Sequence, residues 1–380
     1  MVQVGQCGNQ VGNQFWKNLL VEHERTPDDD PSLSTFFRFA PAKRGQVLEM
    51  KARALLIDME CGPLQETMKS SLGSLFDETQ FVMDVYGSGN NFAHGFAEYG
   101  PKYRAQFEEA LSRIAEKCES LQSFILTHSL GGGTGSGVGS YVLGLLEDHY
   151  PAVTRFTTSV FPAEEDDVVT SPYNSILAAA QLIEHADCSF PLDNLALQSF
   201  AHIEDEAKSR RRKDQYEMSH DSSRKIGRGF DSMNNSAALM LCHLTASARL
   251  PGQLNVDLNE ISTNLVPFPR MPFLLTALSP QRSLSTHSRS KPSESSRLVM
   301  NRAMSDVLGS AGQLSAAVPS APGGLTLASA LLSRGSIQLS DMISSVSQVK
   351  KSLRFPSWNE DACKVGDTQY HQSSCRNAYN

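Results

Sequence analysis

The run Ser129-Leu130-Gly131-Gly132-Gly133-Thr134-Gly135-Ser136-Gly137 constrains this chain more than any other stretch. An apolar segment, Phe124-Ile125-Leu126-Thr127-His128, leads into it as a buried strand would, and Val138, Tyr141, Val142, Leu145 and Leu146 lead out at helical spacing. The glycines therefore sit in a strand-to-helix turn. Residues without a Cβ let backbone N–H groups approach a bulky anion, and the first N–H groups of the following helix have no intrahelical acceptor. Such a turn is a phosphate cradle, with a flexible glycine hinge as the alternative reading. No Lys-Ser or Lys-Thr follows the last glycine, so this is not the lysine-assisted P-loop. Charge neutralisation falls to amides and a cation.

A second unit of the same kind opens the chain. Val2-Gln3-Val4 is a short strand, and Gly5-Gln6-Cys7-Gly8-Asn9-Gln10 turns into a helix with Val11, Phe15, Trp16, Leu19 and Leu20 on one face. Arg53 to Glu60 reads as a buried strand ending in Asp58 and Glu60. Carboxylates at the carboxyl end of a parallel strand, beside a phosphate cradle, are placed to hold a hydrated magnesium ion; a solvated strand end is the plain alternative. Phe81 to Tyr86 predicts a further strand, and Gly87-Ser88-Gly89-Asn90-Asn91 a turn. Helical spacing over Pro101 to Glu119 and a strand over Thr154 to Phe161 complete an α/β alternation. It implies a parallel sheet covered on both faces, with ligand at the carboxyl ends.

Further along, Glu164-Glu165-Asp166-Asp167 reads as a solvated acidic loop. Asp187 to Asn194 supplies a strand ending in Asn194, a carboxamide able to pair with a purine edge. Phe230 and Asn234 lie four apart on one helical face, and Phe230 alone would be read as core. Between them Lys208-Ser209-Arg210-Arg211-Arg212-Lys213 begins a basic, polar insertion. Asp257 and Glu260 stand three apart at a helix start, where capping is the simplest role. Ser279 to Ser296 is a Ser-, Arg- and Pro-rich loop.

Composition narrows the classes. At 380 residues the chain can bury two cores, and a net charge of −7 argues against a nucleic-acid binder. Seven cysteines without a C-x-x-C pair form neither a disulfide framework nor a zinc site, and suit a reducing compartment. Neither a signal peptide nor a membrane-length apolar run is legible, so the expected location is the cytoplasm, with no membrane partner.

The GGGTGSG of Gly131 to Gly137, the GQCGNQ of Gly5 to Gln10, the D-x-E of Asp58 and Glu60, and the G-x-G-N-N of Gly87 to Asn91 together resemble the tubulin superfamily, over about residues 2 to 360. The resemblance implies a Rossmann-like GTP-binding domain over 1–228 with a basic insertion near 203–228. A central helix over 229–250, a smaller α+β domain over 251–365, with Leu331 to Ile337 and Leu353 to Asn359 resembling its strands, and a divergent tail over 366–380 would follow. It implies that Gln6, Cys7 and Asn90 contact GTP or GDP together with Ser129, Gly131, Gly132, Gly133, Thr134 and Gly135. One of Asp166 and Asp167 would accept from the ribose, and Phe230 would stack on guanine between Asn194 and Asn234. Asp58 and Glu60 would associate with Mg2+ through water. Asp257 and Glu260 would enter the nucleotide site of a neighbouring subunit and position water, making the chain a possible assembly-coupled GTPase. Most tubulins carry Glu where this chain has Ser171 before Pro-Tyr-Asn, which leaves the usual contact there open.

Asp166 to Asn174, Asn255 to Ser262 and the insertion before Phe230 are most similar to the epsilon class, tied to centrioles and basal bodies. The implied partners are other tubulin subunits and centriolar or basal-body proteins, and the implied location is the cytoskeleton, at the centrosome. The family's last two long helices have no counterpart after Gly366, which reads as an apparently truncated C-terminus. A non-polymerising GTP-binding regulator of the centrosome is the competing expectation. A metabolic dinucleotide enzyme is a third, disfavoured because neither glycine turn has the G-x-G-x-x-G order with a later ribose acid.

Overall fold

The computed structural model describes residues 1–24, 26, 30–41, 48–163, 168–213, 228–279, 296–317, 324–335 and 337–368. Strand β1 (Val2–Val4) runs directly into helix α1 (Gly5–Glu22), followed by α2 (Pro31–Ser34) and a hairpin of β2 (Phe37–Pro41) and β3 (Leu48–Ala52). Next come β4 (Leu55–Asp58), α3 (Cys61–Lys69), β5 (Phe81–Met83) and, through a wide π-type turn over His94–Tyr99, α4 (Gly100–Ala115). Strand β6 (Ser123–Ser129) passes through a second such turn, Thr134–Val138, into α5 (Gly139–His149). Then follow β7 (Thr154–Phe161), α6 (Ser171–His185), β8 (Cys188–Asp193), α7 (Asn194–Lys213) and α8 (Arg228–Leu244). The chain continues through α9 (Leu258–Leu265), α10 (Ser296–Leu308), β9 (Ser329–Arg334), α11 (Leu339–Ser352) and β10 (Cys363–Thr368).

Six strands pair in parallel in the order β5-β4-β1-β6-β7-β8. The sheet grows one way from β1 and the other way from β6, so the chain reverses its winding between these two neighbours. At such a switch point the loops leaving the strands diverge and open a crevice at the carboxyl ends. Gly5 and the Gly131–Gly135 run lie there.

Alternation along each strand sends side chains to two separate cores. Leu56 and Ile125 pack with Phe15, Trp16 and Phe190, whereas Leu55, Ile57, Phe124 and Leu126 join Phe107, Val142 and Leu143 of α4 and α5. Burial on both faces is why the strands read as nearly continuous apolar runs. The hairpin, which sequence reading does not anticipate, docks through Phe36 and Phe37, whose rings meet Trp16 edge-on at centroid distances of 6.1 and 5.7 Å.

Two expected strands differ. The one predicted over Phe81 to Tyr86 stops at Met83, because Asp84 accepts from Lys102 Nζ (2.8 Å) and the Tyr103 hydroxyl (2.7 Å), and Val85 and Tyr86 turn out to solvent. Leu353 to Asn359 forms no strand; Pro356 removes a ladder donor, and β10 pairs in parallel with β9 instead. The β8 edge is covered: Ser189 N donates to Pro272 O (2.7 Å) and Leu274 N to Ser189 O (2.8 Å). No helix among the described residues is long and apolar enough to cross a membrane.

One buried ion network ties these parts together. The Glu22 carboxylate, at the end of α1, accepts from Arg249 Nη1 and from Arg334 Nη1 of β9, each at 2.7 Å, while Arg249 Nη2 donates to Cys242 O of α8 (2.7 Å). Burial alone would raise the pKa of Glu22, but the two guanidiniums outweigh it and hold it at about 2. Burial lowers His23 and His243 to about 4, helped by Arg249 and by Arg334 respectively, so both rings are neutral at pH 7. The signs agree. Acid must protonate two imidazoles whose ordinary value is 6.5, and then a carboxylate whose ordinary value is 4.5. Stability is therefore expected to be full at neutral pH and to fall from about pH 6.5 downward, most steeply below 4.5. Glu22→Gln leaves two buried guanidiniums facing a neutral group. It should remove about 3–5 kcal/mol at pH 7 and flatten the profile below pH 4.5, as read by urea unfolding across pH.

Candidate functional site

Four segments converge at the switch point. The first is the start of α1: Gly5 has φ +73°, and a Cβ on it would lie 3.0 Å from the Gly135 amide nitrogen. Main chain therefore touches main chain across the two central loops. The first turn of α1 carries no acid and no side-chain cap, so its amides remain available to an anion. Asn9, fully buried, donates to Gly5 O (2.9 Å) and Ile57 O (3.1 Å) and fixes this turn to β4. Gln6 is exposed, and Cys7 is half-buried with its thiol pushed up to about 12 by burial.

The glycine run itself is the second segment. A Cβ on Gly133 would meet Asn91 N and Ser88 Oγ at 2.5 Å, and one on Gly135 would meet Ser129 O at 2.7 Å; these two glycines permit close packing of backbone on backbone. Gly132 differs, since a Cβ there would meet only Asn90 Oδ1 and Ser129 Oγ at 3.8 Å, an ordinary van der Waals contact that forces nothing to move. The Gly132 carbonyl accepts from the Ser136 hydroxyl. The amides of Gly131 and Gly132 make no hydrogen bond among the described residues.

Beneath the run lies His128, completely buried. A carbonyl only accepts, so Nδ1 donates to Gly135 O (2.8 Å) and Nε2 accepts from the Ser159 hydroxyl (2.8 Å). Burial lowers its pKa to about 4, which keeps the ring neutral. This supporting residue escapes the sequence reading, although a lone imidazole inside an apolar strand was the signal available.

The third segment is the Gly87–Asn91 turn. Ser88 Oγ and Thr134 Oγ1 lie 2.9 Å apart, and the Tyr99 hydroxyl donates to Gly87 O (3.0 Å). Asn90 adopts φ +52°, a conformation that Asn tolerates better than most residues. The fourth is the start of α6, where Thr170, Ser171 and Asn174 donate to carbonyls of the other loops. Ser171 is buried with its hydroxyl 3.4 Å from Gly131 O.

Acids stand on the β4 side. Asp58 is 2% exposed, accepts from Glu60 N through Oδ1 (3.2 Å), and has no hydrogen-bond partner for Oδ2 among the described residues. Burial, and secondarily the charge of Glu60, raise its pKa to about 7. The Glu60 carboxylate lies over Gly87, whose Cβ would meet Oε1 at 2.6 Å. A buried carboxylate oxygen without a donor suits a hydrated cation.

The remaining expected residues scatter more widely. Phe230 is 64% exposed, which excludes a core role; Asn234 Nδ2 reaches Gln10 Oε1 at 3.4 Å, and Asn194 begins α7 half-buried. Asp166 and Asp167 lie outside the described residues. Asp257 caps α9, its Oδ1 accepting from Glu260 N (2.7 Å), and the Glu260 carboxylate pairs with Lys364 Nζ (2.9 Å).

Comparison with known proteins agrees with this geometry. The GTPase-domain model of the Tubulin/FtsZ family matches residues 1–202. The tubulin epsilon chain of Homo sapiens is 42% identical over 96% of this chain and 79% of its own length, and that of Mus musculus is 41% identical with the same coverage. The tubulin beta-6 chain of Ectocarpus variabilis is 35% identical over 74% of this chain and 60% of its own length.

Neighbouring glycines should separate folding from binding. Gly133→Ala is expected to cost about 1–3 kcal/mol of stability, because backbone and Ser88 must move. Gly132→Ala should leave the melting temperature of ligand-free protein nearly unchanged and weaken GTP binding, checked by thermal melts alongside nucleotide titration.

Proposed function

Because this chain belongs to the tubulin family, whose members bind GTP, we propose that it is a GTP-binding microtubule subunit acting at centrioles or basal bodies. The observation that carries this reading is the set of Gly131 and Gly132 amides, without a hydrogen bond among the described residues, beside the uncapped start of α1. Both helix starts direct positive potential to one place without a lysine. Gln6, Cys7 and Asn90 border the phosphates with Ser129, Gly133, Thr134 and Gly135. Phe230, too exposed for a core, offers its ring to guanine, with Asn194 and Asn234 as donors and acceptors to the base edge; stacking typically contributes ~1–3 kcal/mol. Asp166 or Asp167 would serve the ribose.

Asp58 and Glu60 would hold magnesium through water, and the ion, when bound, adds positive charge against the phosphate oxygens. The partnerless Asp58 Oδ2 supports that assignment. For hydrolysis, Glu260 is the better placed acid, since Asp257 already caps α9. Glu260 would leave Lys364, enter the nucleotide site of the subunit on which this chain stacks, and orient water there. We divide the chain accordingly into a GTP-binding part up to the connecting helix α8 (Arg228–Leu244) and a second domain that runs on through β10 to Thr368, so the helix ends before the expected residue 250 and the strand runs past the expected boundary at 365. Its partners would be other tubulin subunits and centriolar proteins, and its location the cytoskeleton at the centrosome.

A second reading, a GTP-binding regulator that does not polymerise, is favoured by the Glu260–Lys364 pair, which occupies the acid within its own chain. Turnover per subunit measured against protein concentration decides between them: a rise marks hydrolysis by a neighbour's acid, and a flat rate rejects it. Release and identification of the copurified nucleotide tests the reading as a whole, with guanine nucleotide expected. Asp58→Asn should raise the melting temperature of ligand-free protein, because a poorly solvated charge is removed, and should abolish the gain in GTP affinity produced by added magnesium.

A further inference from the structure

Asn174 stands out among the buried polar residues of the α6 start. It is 2% exposed, and its carboxamide is fully engaged. Nδ2 donates to Asn90 O (2.8 Å) and Gly131 O (2.7 Å), and Oδ1 accepts from Phe92 N (2.9 Å). Two carbonyls can only accept and an amide can only donate, so the orientation of the side chain is set by its surroundings. No other standard side chain of this size offers two donors on one atom and an acceptor on the next.

The three contacts belong to two loops that also meet through the Ser88–Thr134 hydroxyl pair and through Gly133 packed on Asn91. Neighbouring hydroxyls reinforce the pattern: Thr170 donates to Asn90 O (2.6 Å), Ser171 to Gly131 O (3.4 Å) and Ser175 to Leu130 O (3.5 Å). With Ser136 on Gly132 O, three successive carbonyls are held on the protein side. In a trans peptide the carbonyl and the following N–H point in opposite directions, and the chain has no cis peptide among its described residues. Fixing Gly131 O toward Asn174 therefore turns the Gly132 N–H the other way, away from Asn174.

We propose that Asn174 is a positioning residue for the polyphosphate, which it never touches: by holding the Gly131 and Asn90 carbonyls it aims the Gly132 amide and sets the spacing of the two loops. The inference rests on the GTP reading above. It predicts that the effect of losing Asn174 grows with the number of phosphates on the nucleotide.

The experiment compares wild type with Asn174→Asp, titrating GTP, GDP and GMP in magnesium buffer, together with hydrogen exchange of ligand-free protein. Asp keeps the acceptor for Phe92 N and presents an oxygen to two carbonyls. Affinity for GTP is expected to fall about tenfold or more, and that for GMP much less. Exchange at 88–93 and 130–136 should rise while β7 stays protected. Asn174→Ser, with one donor and no added charge, must give the same ordering of losses, because the Asp charge alone would repel a longer phosphate chain more strongly. Equal losses for all three nucleotides, or exchange raised throughout the sheet, would reduce Asn174 to a packing role and overturn the proposal; so would unchanged GTP affinity. If wild type binds no guanine nucleotide, the GTP reading fails on its own, and the hydrogen-exchange comparison still decides whether Asn174 orders the two loops.

Discussion

Everything at the candidate site depends on the contact between Gly5 and Gly135. A side chain at Gly5 would press within 3.0 Å of the Gly135 amide nitrogen, so only bare backbone can approach this closely. The contact sets two helix starts side by side, both with positive ends facing the same point. Like ends held together are unfavourable in the absence of an anion. Two apolar cores, one on each face of the sheet, hold them there regardless. An anion at the switch point relieves that opposition, which links its binding to the stability of the sheet.

The ties that hold the loops share a chemical character. Ser88 to Thr134, Tyr99 to Gly87, His128 to Gly135 and Asn9 to Gly5 are all between uncharged groups. A carboxylate in any of these places would accept from the amides and offset the field they present. Among the described residues, the acids Asp58 and Glu60 stand at the end of β4, with Asp84 after β5 engaged by Lys102 and Tyr103. Amides therefore face the switch point from β1 and β6, and carboxylates from β4 and β5, among the described residues.

Much of this arrangement could be read from residues alone, and the reasons for the rest are physical. The α/β alternation was legible because strands buried on both faces leave unbroken apolar runs, and the glycine turns because no other residue permits such close approach. The hairpin at Phe37–Pro41 and Leu48–Ala52 was not, since its justification is the face of Trp16, a partner distant in sequence. His128 and Asn174 were equally hidden. Each is an ordinary polar residue until the fold reveals that its partners are carbonyls of the cradle. Asp257 shows the opposite case: the acid at a helix start does cap the helix, and its spacing from Glu260 said nothing about which of them pairs with Lys364.

Helix α1 has a mechanical implication. It begins at the glycine contact and ends at the carboxylate clasped by Arg249 and Arg334, and its 18 residues make a rod of about 27 Å. A tilt of about 5° with the glycine end as fulcrum would swing the far end by roughly 2 Å, which is enough to break a hydrogen bond of ordinary length. The clasp therefore registers small rotations that the crevice itself would barely show.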